Sequence, residues 1–138
     1  MTTPPSFSSP SCGGPLSPAA QAFAQRARAI FERIAAAAAG AGRAPGEITL
    51  LAVSKTHPLE ALRAALEAGM LEFGESRVQE ALPKIDALAP LGARFHLIGH
   101  LQRNKVNAAV GRFELIHSVD SPRLLAEIQR RAAQLELI

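Results

Sequence analysis

ITLLAVSKT, residues 48–56, is a run of aliphatic and β-branched side chains that ends on a charged amine, Lys55. Such a run favours an extended strand. Its nearly unbroken apolar character suits a strand covered on both faces, as in a parallel sheet. Working outward from it, similar strand candidates begin near Leu71 (LEFG), Arg94 (RFHLIG) and Leu115 (LIHSV), at successive spacings of 23, 23 and 21 residues. Between them lie helical patterns: Leu59–Ala68 closed by Gly69, Val78–Leu88 opened by Ser76 with Gln79 in the capping-box position, Asn104–Val110 closed by Gly111, and a helix opened by Ser121-Pro122 that runs to Leu135. Pro83 predicts a kink or an early stop in the second of these.

Four strand–helix units in succession imply parallel strands, because each helix must cross back over the sheet. An open doubly wound sheet usually carries a glycine-rich turn after its first strand, whereas here that strand is followed by SKTHP. Short, even units and a first strand ending on a charged residue fit a (β/α)8 barrel, whose functional side chains sit at strand C-termini. The fold expected is therefore α/β: the N-terminal half of a (β/α)8 TIM barrel, with four parallel strands and their helices, preceded by a further helix. That leading helix has Ser17 as N-cap, Pro18 at its first position and Gly40 past its end, with Phe23, Ala27, Ile30, Phe31 and Ile34 on one face. Met1–Pro18, rich in Pro, Ser and Gly, reads as a disordered tail, leaving 19–138 as a partial barrel domain.

Composition narrows the function. The 138 residues suit one domain, and 48% apolar residues can bury a core. A net charge of +3 without a basic block gives no reason to expect nucleic acid. Cys12 is the sole cysteine, so no internal disulfide is available and a reduced, cytoplasmic setting is expected. No apolar run reaches the roughly 18 residues of a membrane span, and no secretory signal pattern is present. There is no tyrosine to act as acid or base. The four histidines lack the HxxxH spacing of a helical zinc site, so no metal is expected.

On the barrel reading, Lys55, Gly74-Glu75-Ser76, Gly99-His100 and Ser118–Asp120 share one mouth. A partly desolvated amine at a strand end is a nucleophile toward carbonyls, suited to a Schiff base; the other reading is a lysine reaching into solvent. Glu75 either lines the site or pairs with Arg77 or Lys84 at the surface. His96, alternating with Phe95 and Leu97, is either a ligand contact or a hydrogen-bonded core histidine, and His100 suits a cap or surface position.

The blocks AVSKTHP, FGESRVQEALPKI, FHLIGHLQRNK and IHSVDS, in this order and spacing, resemble the pyridoxal 5′-phosphate-binding homeostasis proteins, single barrels related to the alanine racemase N-terminal domain. The resemblance runs from about Ile48 to Arg131. It implies pyridoxal phosphate as cofactor, with Lys55 as the lysine of the internal aldimine. Ser76 stands where the family usually has asparagine, His96 and Gly99 (with Ile98) fall on the third strand under the cofactor, and Ser118 falls near the ring. It implies cofactor buffering or delivery without turnover, by a protein that is monomeric at full length. Family members run to about eight units, and their phosphate cup and the arginine facing the ring nitrogen come from the second half. The expectation is therefore a truncated product, or a half-barrel that self-associates to cover its two sheet edges and apolar inner face. The competing functions are an amino-acid racemase, which needs a second base commonly supplied by tyrosine, a Schiff-base aldolase, and a fragment that binds no ligand.

Overall fold

The computed structural model describes residues 14–137. The chain divides into two compact units, the first comprising residues up to Ala52 with His57–Leu71, the second Val53–Thr56 with Glu72 onward.

In the first unit, helix α1 (Pro18–Gly40) begins as its punctuation predicts: the Ser17 hydroxyl accepts a hydrogen bond from the Ala20 amide at 3.2 Å, and Pro18 occupies the first turn. The left-handed residue that turns the chain after the helix is Gly42 (φ 68°), two positions beyond Gly40. Helix α2 (Leu59–Glu67) packs on α1 through Ala20, Ala64 and Ala68, with Leu16, Phe23 and Ala24 against them. Alanines on both sides let the two backbones approach closely. The Ser17 amide donates to Glu67 Oε1 at 2.6 Å and its hydroxyl to Oε2 at 2.8 Å, tying the start of α1 to the end of α2. The Ser17 backbone N–H, and then its hydroxyl, hold the Glu67 carboxyl below its ordinary range. The tail expected over residues 1–18 lies outside the described residues as far as residue 13, whereas Ser17 and Pro18 belong to the helix start.

In the sheet the order is β1-β2-β3-β4, that is β1 (Ala52–Val53), β2 (Glu72–Glu75), β3 (Arg94–Leu97) and β4 (Leu115–Ile116). The pairing is parallel, with Phe73 beside Phe95, Gly74 beside His96 and Leu97 beside Ile116. The architecture is that of half a (β/α)8 barrel: four parallel strands alternating with helices α2, α3 (Val78–Leu88), α4 (Val106–Ala109) and α5 (Pro122–Gln134). One face of the second unit's sheet carries Phe73, Phe95 and Leu97; the two phenyl rings stack at 5.5 Å. Leu97 packs into a core with Leu101, Val106, Ala109 and Leu124.

Three local expectations are corrected. The strand expected over 48–54 is two residues long. Inter-strand bonds form only opposite a partner, and the Ser54 amide already reaches Gly74, near the end of β2. Helix α3 runs through Pro83 to Leu88 without stopping. Pro83 removes the single bond to the Gln79 carbonyl, and Gln79 is exposed, so water can take that acceptor. Ser76 does not cap α3 either, since Arg77 is the N-cap and gives no side-chain bond. The Ser76 backbone instead lies against Gly99 at the end of β3.

The other sheet face was expected to be apolar and is largely polar. Glu72, paired with Arg94, accepts from His96 Nε2 at 3.0 Å, and His96 Nδ1 meets His117 Nε2 at 2.9 Å with their rings stacked. Burial alone would raise the Glu72 carboxyl, but hydrogen bonds from Arg94 and His96 outweigh it and hold the group below its ordinary value. Val53 on β1 and Leu115 on β4 are the exposed apolar side chains of the two edge strands.

Candidate functional site

Lys55 lies one residue, Ser54, beyond β1, in a two-residue turn with Thr56. Thr56 has φ 65°, a left-handed conformation that a β-branched residue adopts only when its surroundings impose it. The sequence argument expected a partly desolvated amine, whereas Lys55 is exposed, because the strand has ended before the lysine and the turn lies beyond it. Among the described residues Lys55 has no ion pair. Of the other two lysines, Lys84 is paired with Glu75, and Lys105 is half-buried.

The residue before Lys55 is anchored. Ser54 is buried; its amide donates to the Gly74 carbonyl at 2.8 Å and its hydroxyl to Glu75 Oε1 at 2.6 Å. Lys84, from the second turn of α3, places its amine 2.7 Å from the same carboxylate oxygen and 3.0 Å from the Ser54 carbonyl. Glu75 is 0% exposed. Of the pairings the sequence left open for it, the structure selects Lys84, and the pair is buried where a surface pair was expected, because α3 lays Lys84 over the end of β2.

Ser76, Gly99 and Ser118 are brought together. A Cβ placed on Gly99 would lie 2.1 Å from the Ser76 carbonyl oxygen, so only glycine lets β2 and β3 end this close. On the other side of Gly99, the Ser118 hydroxyl donates to the Gly99 carbonyl. Ser76 and Gly99 also wall a cavity of about 370 Å³ that Arg77, Gln79, His100, Gln102 and Lys105 help to line. Lys55, His96 and Ser118 do not line this cavity; His96 belongs to the Glu72–His117 network on the sheet face. His100 forms an exposed pair with Asp120 at 3.5 Å. Sequence reasoning missed Ser54, Thr56, Gln102 and Lys105. Gln102 and Lys105 lie within the quoted FHLIGHLQRNK block and were legible as polar residues after a strand end; Ser54 and Thr56 lie within AVSKTHP, but nothing local signals the burial of one or the left-handed backbone of the other.

The four parallel strands, and the polar groups gathered at their C-terminal ends, define a half-barrel α/β protein with its candidate site at the barrel mouth. The chain is 44% identical over 108 residues to the pyridoxal phosphate homeostasis protein of Aquifex aeolicus, covering 78% of this chain and 47% of the relative. It is 42% identical over 110 residues to that of Escherichia coli K12, covering 77% and 47%. Among solved structures it resembles PipY of Synechococcus elongatus PCC7942 with PLP bound (TM-score 0.70, 40% identity, 83% of this chain and 50% of that one). It also resembles an unknown protein from Bifidobacterium adolescentis (TM-score 0.77, 32% identity, 94% and 56%). No family model matches. The chain is a homologue of the pyridoxal phosphate homeostasis proteins and spans about half the length of the curated relatives it matches.

Proposed function

We propose that this chain binds pyridoxal phosphate through Lys55 and serves in cofactor homeostasis without turnover. The observation that carries the reading is the exposed Lys55 amine, unpaired among the described residues, in a constrained turn just past a parallel strand, in a chain homologous to proteins of that name. The donor set suits the cofactor: a hydroxyl from Ser76, amides from Gln79 and Gln102, and cations from Lys105 and Arg77 around a cavity within the usual ligand-site range of roughly 300–1,000 Å³.

When bound, the cofactor supplies an aldehyde that condenses with a primary amine and a phosphate that calls for cationic or N–H donors. Lys55 would provide the amine; among the described residues no carboxylate is paired with it. Ser76, Gln102 and Lys105 would orient polar substituents, and Gly99, clasped between Ser76 and Ser118, would keep that wall rigid. The reading extends to a cytoplasmic protein without nucleic-acid partners, monomeric at the family's full length, whose half-length form self-associates through its β1 and β4 edges. Among the described residues no helix is long and apolar enough to cross a membrane.

Mixing the chain with pyridoxal phosphate tests the proposal. A near-ultraviolet or visible absorbance band that disappears in Lys55→Ala is expected; no band in the unsubstituted chain removes cofactor binding. Light scattering that shows a folded monomer would remove the self-association.

A further inference from the structure

We infer that the buried Ser54–Glu75–Lys84 cluster is a positioning device for Lys55, with Glu75 and Lys84 acting on the lysine through the peptide bond that precedes it. The inference rests on the reading of Lys55 as the cofactor lysine.

The carbonyl that Lys84 grips at 3.0 Å is the carbonyl of the Ser54–Lys55 peptide unit. The Lys84 ammonium also bonds Glu75 Oε1, the same oxygen that accepts from the Ser54 hydroxyl, so the carbonyl and side chain of Ser54 are tied to one ion pair. The residue after Lys55 is the left-handed Thr56, a conformation that needs external support. The cluster supplies that support at the near end of the turn, since Ser54 is bonded through its amide, its hydroxyl and its carbonyl. Among the described residues nothing comparable holds the Lys55 side chain, which is exposed on a fixed base.

A charged cluster is a poor way to fill this space for stability alone. Apolar residues of equal volume commonly do as well as a buried ion pair, or better. Glu75 also keeps one carboxylate oxygen, Oε2, without a hydrogen-bond partner among the described residues. What the charges achieve that leucine would not is a directional grip on one carbonyl beside the reactive side chain. The same Glu75 is the last residue of β2, directly before Ser76 on the cavity wall, and its backbone carbonyl accepts from the Ile98 amide at 2.9 Å. The cluster thus sets the Lys55 turn and the Ser76–Gly99 wall in a common register.

The test compares Lys84→Met, which keeps the stem and removes the ammonium, with Lys84→Arg, which retains a cation and donors. Two readouts are taken on each: backbone amide exchange at Ser54, Lys55 and Thr56, and Kd for pyridoxal phosphate by absorbance. Loss of one charge-assisted hydrogen bond corresponds to about tenfold. Lys84→Met should therefore exchange these amides about tenfold faster and raise Kd by a similar factor while far-UV circular dichroism is unchanged, and Lys84→Arg should restore both. Unchanged exchange in a folded Lys84→Met overturns the inference, as does faster exchange with an unchanged Kd. If the unsubstituted chain binds no cofactor, the functional reading fails on its own, and the exchange comparison still decides whether the cluster fixes the turn. Should Lys84→Met not fold, Ser54→Ala, which deletes one hydroxyl from the same cluster, gives the same two readouts with the same criteria.

Discussion

Gly99→Ala probes the seam on which the candidate site is built. The added carbon would lie 2.1 Å from the Ser76 carbonyl oxygen and 2.7 Å from its carbonyl carbon and Cα. Real Cβ contacts essentially never fall under 3.0 Å, so the two segments must part by about 0.9 Å, and every atom in the way is backbone. Parting them lengthens the Ile98 amide to Glu75 carbonyl bond from 2.9 Å beyond hydrogen-bonding range and pulls on the Ser118 to Gly99 bond. Overpacking costs about 1–3 kcal/mol and one lost bond about 1 kcal/mol, giving an expected loss of roughly 2–4 kcal/mol. Urea unfolding followed by circular dichroism measures it, as a lower midpoint at an unchanged slope. Gly40→Ala is the control: its Cβ would meet nothing within 4 Å and its backbone is helical, so it should leave stability equal or slightly higher. A Gly99→Ala midpoint matching that control would refute the close approach and, with it, the rigid wall between Ser76 and Gly99.

Three further outcomes are expected. Lys84→Ala leaves the fully buried Glu75 carboxylate without a counter-charge and should cost about 3–5 kcal/mol in urea unfolding; replacing both residues by leucine should recover most of that loss. Ser17→Ala removes the cap of α1 and should cost about 1 kcal/mol in the same assay, with lower helical circular dichroism. Glu72 has its folded carboxyl held below the ordinary 4.5, so its contribution is present above that value and is lost as pH falls through the lower folded value. Glu72→Gln should therefore be less stable than the unsubstituted chain at pH 7, with the difference closing in acid below pH 4.5.

The order of elements was legible because two periods alternate along the sequence: near-continuous apolar runs for strands, and three- and four-residue spacings for helices. Gly69 (φ 96°) and Gly111 (φ 83°) fall where the helix ends were placed, because both positions need a left-handed backbone. Strand lengths were not legible, since a ladder exists only opposite its partner and ITLLAVS carries no record of where β2 begins. Pro83 misled because the cost of a helix proline depends on whether the stranded carbonyl meets water. The four sequence blocks named Lys55, Ser76, Gly99 and Ser118 as candidates, of which the structure brings Ser76, Gly99 and Ser118 together, whereas the grip on Ser54 was not legible. It depends on the register of β1 against β2 and on α3 swinging Lys84 back over the pair, which no local pattern encodes. Thr56 is the clearest case, as a β-branched residue is the last that sequence would assign to a left-handed turn.

The most direct measurement is borohydride reduction of the chain mixed with pyridoxal phosphate, followed by proteolysis and mass analysis of the three lysine-containing regions. The expected result is one phosphopyridoxyl adduct, on Lys55, with Lys84 unmodified because Glu75 holds it in the fold. An adduct confined to Lys105 or Lys84, or none on a folded chain, would contradict the assignment of Lys55 as the residue that carries the cofactor.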